Sequence, residues 1–302
     1  MPSQAMQDLL ESLRERQKSS ADLPQETLAE ARATFAPGGP LHAIPDDVLV
    51  SEVSAGGVPG YWLDAPDAAA DRVLLFLHGG GYQFGSLRSD GELAARLGRA
   101  SGMRVLFAEY RLAPEHPFPA AIDDVLAVWR WLRVEQRMSA QSLAVVGDSA
   151  GGGLTVALLV ATRDAGDDLP AAAVLMSPTV DLTSSGASMT DRVDQDPIST
   201  PALLRQLASD YLAGADPKTS LASPLFAPLP GLPPLLIQVG TADLLLSDAE
   251  RLAKAASEAG VDVRLEIGEG LPHVYQLMLG TPEAAEATER IGTFLRERVP
   301  PQ

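Results

Sequence analysis

Gly147-Asp148-Ser149-Ala150-Gly151 has the spacing of a serine nucleophile, provided that it joins a strand to a helix. Both neighbours are present: the branched run Leu143-Ala144-Val145-Val146 precedes it, and Leu154, Ala157, Leu158 and Ala161 follow at helical period. The turn between them must be strained to lift a hydroxyl out of a sheet edge, and its glycines remove side chains where strand and helix nearly collide. The helix N-terminus adds positive potential beside any negative charge that develops. The competing reading, a serine in a glycine-rich phosphate loop, lacks the lysine such loops carry. Asp148 reads as a local hydrogen-bonding or helix-start residue and not as a catalyst.

A serine hydroxyl needs a base, and the chain holds four histidines. His42 lies in the N-terminal region, and His78 belongs to a glycine loop that it would brace. His116 sits in the proline-fixed loop Pro114-Glu115-His116-Pro117. His273 follows the late apolar run Val263-Arg264-Leu265-Glu266-Ile267, in Gly270-Leu271-Pro272-His273, and is the candidate base. The acid that would hold its tautomer and stabilise the imidazolium is expected after the preceding run, Leu235-Leu236-Ile237-Gln238-Val239. Asp243 stands there, 30 residues before His273; Asp248, already within the next helix, competes. A second glycine cluster, His78-Gly79-Gly80-Gly81-Tyr82, ends the run Val73–Leu77, 71 residues before Ser149. Three glycines leave backbone N–H groups unobstructed, as an oxyanion cradle requires, and Ala150, next to the nucleophile, supplies a further donor. A purely structural glycine turn is the alternative.

Composition narrows the classes. The chain has 302 residues and no cysteine, which excludes a disulfide scaffold, a thiolate zinc site and a cysteine nucleophile. With 23 basic against 40 acidic residues its net charge is −17, which argues against nucleic acid or an anionic membrane as partner. The charges are dispersed and read as a solubilising surface. The first twenty residues are charged and amphipathic without an apolar signal core. Leu143–Thr162, the most apolar stretch, is too polar and glycine-rich to span a bilayer, so a cytoplasmic protein is the expectation.

Stepping outward from these residues, the elements that must position them alternate. Strands are predicted at Val48–Val53, Tyr61–Asp64, Arg72–Leu77, Arg104–Glu109, Ser142–Val146, Ala172–Met176, Pro234–Val239 and Val261–Ile267. Helices are predicted at Leu87–Ser101, Ala120–Arg137, Ala150–Ala165, Ser247–Ala259 and Pro282–Arg298. That rhythm means an α/β fold with a mainly parallel sheet and helices on both faces. Residues 1 to 45 are predicted helical, with one helix carrying Met6, Leu9, Leu10 and Leu13 and a second over Pro24 to Phe35. The rhythm breaks between Asp181 and Ser223, where Ser199-Thr200-Pro201 opens a helix through Tyr211. With the N-terminal helices, this insertion at about 183–220 reads as a cap over the sheet's carboxyl edge; an ordinary helical excursion is the alternative. The domains are then cap helices at 1–45 and a catalytic unit at 46–302.

These motifs together resemble the bacterial hormone-sensitive-lipase family of α/β-hydrolase carboxylesterases. The matching segments are HGGGY (78–82), YRLAPEHPFPAAIDD (110–124), GDSAGGG (147–153), DPISTP (196–201), YLAGADP (211–217), SPLFAPLPGLPPLLIQVGTAD (223–243) and LPHVYQ (271–276). The order Ser149, Asp243, His273 is that of α/β-hydrolases. The resemblance implies that these three form the triad and that Gly80, Gly81 and Ala150 donate to the oxyanion. It also implies that the cap closes an acyl pocket, for which Tyr82, Phe84 and Leu212 are the candidates. Two departures stand out. No proline follows Asp243, and Val-Tyr-Gln follows His273 where Gly-Phe is commoner, a variant similar to a branch with enzymes acting on ε-lactones.

The expected activity is hydrolysis of short- to medium-chain acyl esters through an acyl-enzyme, with no cofactor and no metal. A lactone hydrolase on the same triad is the first alternative; a catalytically silent ligand-binding protein is the second, against which an intact Asp243 and His273 argue. The expected partner is a small ester or lactone, without membrane insertion, and the resemblance is compatible with a homodimer through the final strand and helix.

Overall fold

A computed structural model of the chain describes residues 1–20, 27–36 and 42–300. Eight strands form one sheet: β1 (Leu49–Ala55), β2 (Val58–Asp64), β3 (Ala69–Leu77), β4 (Met103–Ala108), β5 (Leu143–Asp148), β6 (Ala172–Met176), β7 (Leu235–Ala242) and β8 (Val263–Pro272). Their order is β1-β2-β4-β3-β5-β6-β7-β8. β1 pairs with β2, and β2 with β4, antiparallel; every other pair is parallel. This is an α/β-hydrolase sheet, mainly parallel as predicted.

The central strands are buried on both faces, which explains why they read as unbroken apolar runs. Their side chains part alternately. Val73, Leu75, Leu77, Leu143 and Val145 join one core with Val125, Val128, Leu154 and Leu158. Leu74, Phe76, Ala144 and Val146 join another with Leu93, Leu97, Ile291 and Leu295. The helices that cover these faces are α3 (Leu87–Ser101), α4 (Ala120–Arg130), α5 (Ser149–Asp164), α8 (Leu246–Glu258) and α9 (Pro282–Arg298). No helix among the described residues is long and apolar enough to cross a membrane.

Three differences from the predicted elements have physical causes. The helix predicted over Ala120–Arg137 is α-helical to Arg130 and then widens into a π-turn, Trp131–Glu135, where the Gln136 N–H reaches the Trp131 carbonyl. β7 and β8 run on past the predicted ends, pairing Gly240 with Gly268 and Ala242 with Pro272 across an irregularity. That extension carries the sheet to the doorsteps of Asp243 and His273. In the N-terminal region, α1 (Gln4–Ser20) seats Met6, Leu10 and Leu13 against Leu271, Tyr275 and Ala287. Of the second predicted helix, Pro24–Phe35, residues 24–26 lie outside the described residues; α2 (Leu28–Thr34) begins at a Thr27–Glu30 capping box.

The insertion between β6 and β7 contains α6 (Ser188–Asp191) and α7 (Pro201–Leu212). α7 opens as its sequence predicts, with the Thr200 hydroxyl accepting from the Leu203 N–H and Pro201 in the first turn.

Candidate active site

Ser149 sits where β5 becomes α5, with φ +51°, in the left-handed region that costs an L-residue strain. Close approach makes the strain affordable only beside glycine: a Cβ on Gly151 would run into the carbonyls of Leu77 and His78. The serine is held on the sheet's carboxyl edge between α5 and the loop after β3. Thr179 closes the rear of the turn by donating its N–H to the Ser149 carbonyl at 2.9 Å.

His273 reaches it from the loop after β8. Its Nε2 lies 3.0 Å from Ser149 Oγ, and its Nδ1 lies 3.2 and 3.1 Å from the two carboxylate oxygens of Asp243. An Nδ1–H donating to Asp243 leaves Nε2 free to accept the serine proton. Asp243 is fully buried and its Oδ1 also accepts the Leu245 N–H at 2.8 Å, an Asx-turn that fixes the carboxylate. Burial opposes charge on His273. The Asp243 charge and hydrogen bond, then Asp196 and Asp148, outweigh it and push the imidazole up to about 9.

The competitor Asp248 is elsewhere engaged. Its Oδ2 accepts the N–H groups of Val180 and Asp181 at 2.9 and 3.0 Å, pinning the chain that leaves β6. Burial pushes its carboxyl up to about 7. The structure therefore brings Ser149, Asp243 and His273 together and leaves Asp248 out.

Gly80 and Gly81 face the same space. Gly80 has φ +103°, and a Cβ there would strike the Phe84 backbone, because the Gln83 and Phe84 N–H groups both fold back onto the Gly80 carbonyl. Ala150 is the second residue of α5 and is fully buried. His78 braces the loop from below: its Nδ1 meets the Gly79 carbonyl at 2.8 Å, its carbonyl accepts Tyr110 Oη at 2.6 Å, and its ring stacks on Tyr110 at 4.2 Å. Burial lowers it to about 4, so it is a neutral strut. His42 and His116 are exposed. Burial raises Asp148 well above the carboxylate range, in keeping with a structural acid.

A cavity of about 240 Å³ opens on Ser149 and His273. Its apolar wall comes from Leu203, Leu204, Leu207 and Ala208 of α7, from Ile198 before it, and from Phe35 and Phe84, whose rings stack 5.1 Å apart. Tyr82 also lines it, and lies flat on Tyr211 with centroids 3.7 Å apart. Leu212 does not line it. That expectation is corrected because the last turn of α7 dives into the core, where Leu212 packs in the cluster of Tyr110, Ala113, Tyr211 and Ala222. Among the described residues no group of three or more His, Asp or Glu side chains is arranged to hold a metal.

Residues 74–277 match the alpha/beta hydrolase fold family. An acetyl-hydrolase of Streptomyces hygroscopicus is 46% identical over 261 residues, 85% of this chain and 85% of the relative. An esterase of Acinetobacter venetianus is 33% identical over 252 residues, 82% of each chain. The crystal structure of an esterase from the bacterial hormone-sensitive lipase family superposes with a TM-score of 0.93 at 42% identity, covering 99% of both chains. The chain belongs to the bacterial hormone-sensitive-lipase family of α/β-hydrolases. It is a carboxylic ester hydrolase, of the esterase and acetyl-hydrolase kind.

Sequence reasoning missed several residues of this esterase's site. Phe35 and the α7 leucines carry no chemical signature, and only their placement marks them. Ser177 was also missed: it directly follows β6 at φ +47°, and its Oγ accepts the N–H of Val274, itself left-handed at φ +44°. Positive φ on a β-branched residue is a rare strain, and here it lies immediately after His273. Asp196 stood in a quoted motif, but nothing in its spacing announced a role.

Proposed function

We propose that this chain hydrolyses short- to medium-chain acyl esters through an acyl-enzyme on Ser149. The observation that carries the reading is the Asp243–His273–Ser149 relay, at 3.0 to 3.2 Å, opening on an apolar cavity. His273 Nε2 takes the Ser149 proton as Oγ attacks the ester carbonyl, and Asp243 stabilises the imidazolium. The carbonyl oxygen, now negative, rests on the N–H groups of Gly80, Gly81 and Ala150. Collapse of the tetrahedral species breaks the bond to the alcohol, which leaves with the proton from His273. Water then gives a proton to His273 as it attacks the acyl-enzyme carbonyl; collapse breaks the bond to Ser149 Oγ, which takes the proton back from His273, and the acid is released.

The size of the cavity supports the acyl range. At about 240 Å³ it falls below the roughly 300–1,000 Å³ of pockets that enclose drug-sized ligands. Its walls support the division into cap and catalytic unit: Phe35 and Ala36 come from the N-terminal region, while Leu182 to Ala208 come from the insertion.

The test is a series of p-nitrophenyl acetate, butyrate, octanoate and laurate, with wild type and Ser149→Ala in parallel. The expected outcome is a maximum at short or medium chains and a loss of about 10⁶ in kcat in the variant. Turnover unchanged by Ser149→Ala overturns the nucleophile, and a maximum at laurate overturns the acyl range.

A further inference from the structure

The backbone peptide between the catalytic acid and the next helix is held by the insertion and not by the sheet. The Leu244 N–H donates to Asp196 Oδ2 at 3.0 Å, and the Leu244 carbonyl accepts from Ser188 Oγ at 2.6 Å. Asp196 is buried, 3% exposed, and its other oxygen accepts the N–H groups of Ile198 and Ser199, each at 2.8 Å. Ile198 and Ser199 line the cavity. One carboxylate thus ties the acid loop to the wall that the acyl chain meets. Ser188 is clamped reciprocally, its N–H donating to Ser247 Oγ and its Oγ accepting from the Ser247 N–H, each at 3.0 Å.

We propose that Asp196 is a positioning residue that fixes Asp243 through the Leu244 amide, so that the segment walling the cavity also sets the acid–imidazole geometry. Leu244 directly follows Asp243, and the Asx-turn from Asp243 Oδ1 to the Leu245 N–H spans the same peptide. A tilt of that peptide therefore rotates the carboxylate under His273 Nδ1. A carboxylate is buried at a cost unless it is hydrogen-bonded, and three amide donors reach both oxygens of this one. Burial, with the Asp243 charge, raises the Asp196 carboxyl, and His273 and the amides of Ser199 and Leu244 oppose that rise. The proposal rests on the relay reading above.

Asp196→Asn separates the possibilities. The amide fills the same volume, but its NH₂ cannot accept, so either the Leu244 amide or the Ile198 and Ser199 amides lose their partner. The expected result is a fall in kcat of about 10- to 100-fold, the usual size for residues that orient a reacting group, by the same factor for acetate and butyrate and with KM little changed. The far-downfield proton signal of the His273 Nδ1–H, seen in wild type, should shift or broaden. A residue that merely shaped the wall would instead raise KM for the longer ester and leave kcat and the proton signal in place; that outcome overturns the proposal. If Asp196→Asn fails to fold, Ser188→Ala releases the carbonyl side of the same residue, Leu244, and an unchanged kcat there overturns the proposal equally. Asp243→Asn is measured alongside. Its inactivity beside a fully active Asp196→Asn would sink the positioning role alone, whereas full activity of Asp243→Asn would sink the relay.

Discussion

The frame of the site and its covering segment are built on different terms. In the frame, the β5–α5 elbow, the loop after β3 and the ends of β7 and β8 hold each reacting group by backbone constraint: φ +51° at Ser149, φ +103° at Gly80, and a ladder that runs to Ala242 and Pro272. In the cover, α7 contributes leucines, Phe35 just after α2 stacks on Phe84 of the frame, and α6 supplies a buried polar clasp. Chemistry tolerates little variation in the first region, whereas shape is demanded of most of the second, the Asp196 and Ser188 clasps that reach to Leu244 excepted. Mutations in the frame or in those clasps should therefore change rate for every substrate, and mutations elsewhere in the cover should change which substrates are chosen.

The sharpest break in that comparison is between two aspartates five residues apart. Asp243→Asn should lower kcat by about 10⁴ for all esters, because an amide cannot hold the imidazole in the required tautomer. Asp248→Asn should leave kcat within a small factor and act on the fold, since its carboxylate serves the Val180 and Asp181 amides; leaving a buried donor unpaired costs about 1–3 kcal/mol of stability. Steady-state kinetics beside thermal melts would show it, and the reverse pattern would assign the acid to Asp248.

Next in size is acyl selectivity. Leu207 on α7 faces the cavity, so Leu207→Phe should cut kcat/KM for octanoate by roughly 10- to 100-fold while acetate changes little, since a few misplaced methylenes are worth about 1–3 kcal/mol. Leu212, one turn later, is core. Leu212→Ala should cost about 2–5 kcal/mol of stability and leave the chain-length profile where it was. A profile that moved with Leu212 and not with Leu207 would erase the distinction between cover and core along α7.

The smallest effect is a pH dependence. The base must be neutral to take the serine proton, and its surroundings favour the charged form, so kcat/KM should climb with pH, reach half its maximum near 9 and level off above that. Removing a negative charge lowers the pKa of a cation, so the residual activity of Asp243→Asn should reach its plateau at lower pH. A wild-type profile already flat at pH 6 would contradict this electrostatic account.

The same contrast explains what could be read from the amino-acid order. The places of the elbow, the glycine loop and His273 in the fold were legible because the roles proposed for them, nucleophile, oxyanion cradle and base, each demand particular residue types beside particular elements. The parallel sheet was legible because strands buried on both faces must be apolar throughout. Asp243 was less secure, since two aspartates follow β7 and only the ladder's extension past Val239 decides between them. Leu212 was misplaced because a helix that crosses a cavity and then enters the core is leucine-rich on both stretches. Asp196 was invisible as a clasp because its partner, Leu244, is reached through tertiary structure 48 residues away.

Ser149 Oγ is the atom proposed to carry the acyl group. The most direct test of that role is titration with a p-nitrophenyl phosphonate ester, followed by peptide mass mapping of the trapped enzyme. The account predicts one phosphonyl group per chain, on the peptide holding Gly147 to Gly151, with esterase activity lost in proportion to labelling and no label in Ser149→Ala. Activity that persists at full labelling of Ser149, or inactivation with the label on another residue, would contradict it.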